Sequence, residues 1–170
     1  MYKRQLREAG IPVYSEGDSS FFEREEVLSL LSLLHAVDDP SDDVQLIGAM
    51  RSELFGFSSE DLAKLRAEHP EGSFLEAVQA GDERAQDFLR RLERYRLLSE
   101  NLDLPALLLH ILRDLGLPDV TSAAPDGTLR RKNLRLLFEY ACAYRKNGMP
   151  GLYGFLSFVD RMRELSLIHI

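Results

Sequence analysis

The sequence predicts a mainly α protein, a helical bundle with a short α/β edge at the N-terminus. Apolar residues recur at helical spacing through most of its 170 residues. Serine, aspartate and proline stand where helices would begin, and glycine just past where they would end. One β-branched run, "IPVY" at 11–14, reads as a strand, and little after it does.

Residues 1–9 read as the last turns of a helix, stopped by Gly10. Residues 11–14 follow as a buried strand. A polar loop then leads into a helix over 22–37, with Phe22, Val27, Leu30, Leu31 and Leu34 on one face. A lone strand leaves unpaired backbone groups along both edges, so this one predicts partner strands from a longer polypeptide. The acidic turn "DDPSDD" at 38–43 ends the helix and separates an edge segment, 1–40, from a helical region, 41–164.

Within that region the first helix covers 43–51, with Val44, Ile47 and Met50 apolar. "SSED" opens a helix to about residue 68, and "SFLE" at 73–76 has capping-box spacing. Asp82 begins a helix over 82–99, with Ala85, Phe88, Leu89, Leu92 and Tyr95 inward. Asp103 and Pro105 start another that Gly116 closes. "PDG" at 125–127 is a turn, and 129–146 a long helix stopped by Gly148 and Pro150. The last helix, 151–165, places Leu152, Phe155, Leu156, Val159 and Met162 on its apolar side, and "GLYG" at its start supplies small residues for close packing. The tail "LSLIHI", 165–170, continues no pattern and reads as a truncation or artefact.

With 45% hydrophobic and 29% charged residues, the chain predicts a real core under a soluble surface. No apolar run reaches the roughly 18 residues that span a bilayer, so no membrane role is expected. The first residues carry no apolar secretory stretch, and the single cysteine, Cys142, fits a reducing cytoplasm as a small core residue. A net charge of −7 weighs against a dedicated nucleic-acid module, so any such contact must use local basic patches.

No catalytic or metal-binding constellation is expected. His35, His69, His110 and His169 stand far apart, with no second ligand at helical spacing. Neither a phosphate loop nor a dinucleotide fingerprint occurs, and no serine sits in a nucleophile-elbow context. The acidic turn at 38–43 reads as helix capping.

The stretch from Gly10 to Asp43 resembles a segment of UvrD/Rep-type superfamily 1 DNA helicases. The pattern is G-I-P, a short strand, a glycine loop, F-F-x-R-x-E, and a helix ending at N/D-P-x-D-D. Gly10, Ile11, Pro12, Phe21, Phe22, Arg24, Glu26, Asp39, Pro40, Asp42 and Asp43 carry it. The family's Gly-Gly in the loop is Gly17-Asp18 here, a departure from the pattern. Residues 116–164 resemble the latter half of the inserted helical 2B subdomain. Its R-x-x-N-L core is matched by Arg130 or Arg131, Asn133 and Leu134, and its G-L-x-x-F-L by Gly151, Leu152, Phe155 and Leu156. "VDDPSDDVQLIGAMRSELFGFS" is most similar to the A subunits of AddAB-type helicase/nucleases.

The resemblance implies that 1–40 is an edge of the second RecA-like domain and that 41–164 is the 2B insertion. It also implies a parent DNA helicase using ATP and Mg²⁺ in double-strand break repair and recombination, partnered by a B-type helicase/nuclease subunit. The family's phosphate loop, metal carboxylates and arginine fingers match no position here, so no cofactor is expected within this segment.

Arg130, Arg131, Lys132 and Arg135 are the candidate DNA contacts, because Arg131 and Arg135 share a helix face as a backbone-tracking surface requires. The competing reading is a solvated face with i,i+4 pairs, or arginines holding the 125–127 turn. Arg90, Arg91 and Arg94, interleaved with Asp87 and Glu93, read as a self-neutralised surface. Gly10, Phe22, Arg24, Glu26 and Asn133 are expected to be structural. Two alternatives stay open: a UvrD-type repair helicase without a nuclease, and an all-helical protein-interaction module whose acidic surface meets a basic partner.

Overall fold

Serine and aspartate caps set the helix boundaries in the computed structural model, which describes residues 18–117, 127–146 and 151–167. A 3-10 turn (Asp18–Glu23) leads into α1 (Glu25–Asp38), followed by α2 (Asp43–Arg51), α3 (Ser59–Glu68), α4 (Phe74–Gln79), α5 (Glu83–Asn101), α6 (Leu104–Asp114), α7 (Gly127–Lys146) and α8 (Gly151–Leu167). No strand occurs among the described residues. The expected strand at 11–14, Gly10 and the helix before it lie outside them, as do Gly148, Pro150 and the first two residues of the 125–127 turn.

The described residues form two compact units, one made of those up to Leu28 together with those from Leu102 on, the other of Ser29–Asn101. α1 contributes its first turn to one unit and its remainder to the other.

In the 29–101 unit the caps are those the sequence predicts. Asp42 accepts from the Val44 and Gln45 amides at the start of α2. Ser58 with Asp61, and Ser73 with Glu76, close reciprocal capping boxes on α3 and α4. Helices α2, α3 and α5 each pack on α4 or through it, burying Met50, Leu65, Phe74, Val78 and Phe88. Phe55 and Phe57 meet the Phe88 ring edge-on at 4.8 and 6.3 Å. Arg84 ties the corner: its guanidinium lies 4.1 Å over Phe57, donates to the Phe55 carbonyl at 2.9 Å and pairs with Asp61 at 3.1 Å.

In the other unit, α7 is the central helix. It packs on α6, and its Tyr140 ring lies 5.8 and 5.9 Å from Phe21 and Phe22 of the 3-10 turn. Tyr144 meets Phe155 and Phe158 of α8 at 5.5 and 5.6 Å. A side chain at Gly154 would come within 2.5 Å of the Tyr144 hydroxyl, so the glycine permits this approach. That is the close packing expected of "GLYG".

Five local expectations are corrected. The helix expected over 22–37 begins at Glu25, because the preceding 3-10 turn already holds Phe21 and Phe22 buried. It is also buried on more than one face, since Leu33, Ala36 and Val37 join the predicted stripe. Val44 is 75% exposed, because Leu46, Ala49 and Met50 form the inward side of α2. Finally, α7 starts two residues early at Gly127, and α8 runs to Leu167, into the segment read as a non-helical tail.

Candidate nucleic-acid interface

The basic run "RRKNLR" lies in the first half of α7, where helical periodicity splits it between three sides. Leu134 and Leu137 face the core. Arg130 turns toward α1: its side chain is 19% exposed and pairs with Glu25 at 3.5 Å. Asn133 turns the same way and donates from Nδ2 to Oε1 of Glu26 at 2.6 Å. Glu26 is a charged residue in the buried interior, at 7% exposure. Its position in the first turn of α1 places its charge against the positive end of the helix dipole.

Arg131, Lys132 and Arg135 remain exposed. Arg135 is an i,i+4 partner of Glu139, its Nε donating at 3.1 Å, with 81% of the side chain in solvent. Arg131 and Lys132 have no carboxylate partner among the described residues. The stems of Arg131 and Arg135 wall an open groove of about 270 Å³ between α6 and α7, floored by leucines and Phe138. Near the far end of α7, Arg145 pairs with Asp103 at 3.0 Å. Cys142 is half-buried, and desolvation raises its thiol pKa. Burial likewise raises that of the Tyr144 phenol, against the opposing charge of Arg161.

Of the residues expected to be structural, Phe22 is buried beside Phe21 and Tyr140 and Glu26 is bonded to Asn133, whereas the Arg24 side chain is exposed and its backbone carbonyl accepts the first bonds of α1. The pairing of Glu26 with Asn133 has no local sequence signal, because 107 positions separate the two. Both are motif residues, and that was the available clue.

Elsewhere, Asp87 takes Arg90 at 3.3 Å and Arg91 at 3.4 Å, and the Arg94 guanidinium lies 5.6 Å from the Tyr95 ring centroid. Carboxylates of the acidic turn are engaged both within it and by neighbouring helices. Asp39 accepts from the Ser41 amide and hydroxyl, which lower its pKa, and Asp43 accepts from the Phe74 amide at 2.9 Å. Among the described residues no three histidine, cysteine or carboxylate side chains gather in a metal-binding group. None of the described helices is long and apolar enough to cross a membrane.

No family model matches the chain. Individual proteins do. It is 36% identical over 171 residues to the ATP-dependent helicase/nuclease A subunit of Pelotomaculum thermopropionicum, covering 96% of this chain and 14% of that protein. The protein of the same name from Geobacillus thermodenitrificans is 35% identical over 94% of this chain and 14% of its own length. That from Heliobacterium modesticaldum is 32% identical over 96% and 13%. The chain thus spans about one-seventh of the length of these curated relatives. Nearly all of it is homologous to one segment of the A subunits of ATP-dependent helicase/nucleases, the resemblance already carried by the motifs around Phe22 and Asn133.

Proposed function

We propose that the chain is a non-catalytic segment of a bacterial ATP-dependent helicase/nuclease acting in double-strand break repair and recombination. The supporting observation is similarity over nearly its whole length to subunits of that name. In this reading residues 1–40 are the edge of a RecA-like motor domain and 41–164 the inserted helical subdomain. The parent uses ATP and Mg²⁺ in the cytoplasm, and its partner is a second helicase/nuclease subunit.

The role of this segment is to lay Arg131, Lys132 and Arg135 along a phosphate backbone, with Arg130 holding α7 in place through Glu25. Three outward cations on a chain of net charge −7 give weak, non-specific binding that salt abolishes. The test is nucleotide turnover by the purified chain, together with duplex affinity across a salt series for it and for an Arg131→Glu/Arg135→Glu variant. No turnover and a flattened salt dependence in the variant are expected. ATP hydrolysis by a clean preparation refutes the non-catalytic assignment, and identical salt slopes refute the contact residues.

A further inference from the structure

The groove between α6 and α7 pairs an apolar floor with a cationic rim. Leu109 and Phe138 are its accessible floor residues, over the buried Leu112 and Leu134, and Arg131 and Arg135 form the rim. Leu109 keeps 37% of its surface in solvent. At about 270 Å³ the groove falls below the roughly 300 Å³ where small-molecule sites begin. Apart from the two guanidiniums its lining offers no polar side chain to orient such a ligand. Its size suits one or two aliphatic side chains presented by a helix at i and i+4.

The rim decides the sign of the occupant. It is locally positive on a chain of net charge −7, and Arg131 has no carboxylate partner among the described residues. Arg135 is already the i,i+4 partner of Glu139 at 3.1 Å, though 81% of its side chain stays in solvent, so Arg131 carries the rim's net positive charge, and a purely apolar helix would leave it unused. A nucleic-acid backbone would use the rim but gain nothing from a leucine floor, since phosphate contacts are polar.

We propose that the α6–α7 groove docks an acidic amphipathic helix of a protein partner. Aliphatic side chains one turn apart fill the floor over Leu109 and Phe138, and flanking carboxylates pair with Arg131 and Arg135. The groove and its rim carry this without the helicase assignment. Nucleic acid and peptide then compete for the two arginines, while only the peptide needs Leu109.

The probes are a fluorescent helix-forming peptide of leucine, alanine and glutamate, its counterpart with lysine for glutamate, and a labelled oligonucleotide. Anisotropy is read for the wild type, Leu109→Gln and Arg131→Glu/Arg135→Glu, with far-UV circular dichroism confirming the fold; Leu109 is partly exposed, so its variant is expected to fold, and glutamine removes the apolar contact without adding charge beside the arginines. The acidic peptide should bind at least about tenfold more tightly than the lysine peptide, because charge complementarity sets the preference. Leu109→Gln should weaken the peptide by about tenfold or more while leaving the oligonucleotide unchanged. Equal binding of the two peptides, binding of neither, or an acidic peptide indifferent to Leu109→Gln overturns the proposal. So does oligonucleotide binding that falls with Leu109→Gln, or a doubling of mass by light scattering that this substitution abolishes.

Discussion

Asn133→Ala should destabilise the chain far more than a surface amide would. The Asn133 amide donates at 2.6 Å to Glu26, whose residue exposure is 7%. A hydrogen bond to a charged group contributes about 1.5–3 kcal/mol, and a buried carboxylate left without its donor bears its desolvation cost as well. The dipole of α1 offsets about 0.3–1 kcal/mol of that cost, because Glu26 lies in the first turn. The expected loss is therefore about 2 kcal/mol for Asn133→Ala. Asn133→Asp should lose more, since it sets two carboxylates against each other. Glu26→Gln keeps an acceptor and should cost about 1 kcal/mol, that of an ordinary neutral bond's adjustment. Urea unfolding followed by circular dichroism and by tyrosine fluorescence measures this; the chain has no tryptophan, and Tyr140 and Tyr144 report from α7 itself. A double-mutant cycle of Glu26→Ala with Asn133→Ala should return about 1.5 kcal/mol of coupling. Coupling near zero, with Asn133→Ala costing under about 0.5 kcal/mol, would refute the buried bond as an anchor.

Two further substitutions test local geometry. Gly154→Ala would ordinarily stabilise a helix by about 0.5–1 kcal/mol, but here the methyl meets the hydroxyl of Tyr144, wedged between Phe155 and Phe158. A loss of about 1–3 kcal/mol in urea unfolding is expected, and a gain would show that Tyr144 yields freely. Asp61 accepts the Ser58 amide at 2.8 Å, and that bond, ahead of the Ser58 hydroxyl and Arg84, lowers its carboxyl pKa. With the folded pKa below the unfolded one, its contribution is fully present above the unfolded range and disappears as pH falls through the folded value. The gap in urea midpoint between wild type and Asp61→Asn should be widest at neutral pH and close below about pH 4. A gap that persists under strongly acidic conditions contradicts the assignment.

Local chemistry accounts for what the sequence made legible. Ser58, Ser73 and Asp103 cap helices because their oxygens sit three residues before an amide, a relation visible in any linear reading. Gly116, with φ of +63°, ends α6 for the same kind of reason. Tertiary choices were not legible. Val44 has helical spacing with Ile47 yet points outward, because Leu46 and Met50 claim the interior, and spacing alone cannot choose between overlapping stripes. Of the basic run, all four cations read alike in sequence. Only the fold reveals that Arg130 is drawn to Glu25 and that the stems of Arg131 and Arg135 wall a leucine groove.

That division of labour on α7 separates two roles that basic residues in one run can play. Arg130 is largely covered and paired, so removing it should loosen the contact between α7 and the start of α1. Lys132 is exposed, so removing it should leave stability within about 0.5 kcal/mol of wild type. If the outward cations follow a duplex backbone, Lys132→Ala should lower the slope of log affinity against log salt by about 0.9, and Arg130→Ala by much less. Arg130→Ala should instead lower the urea midpoint, though modestly: its Glu25 partner is 72% exposed, and ion pairs in such surroundings contribute about 0–1 kcal/mol. The two substitutions thus move different observables in the same chain. Equal slope changes from both would mean that Arg130 leaves Glu25 to meet the phosphates, and the anchor would then rest on the Glu26–Asn133 bond and the Phe21, Phe22 and Tyr140 rings alone.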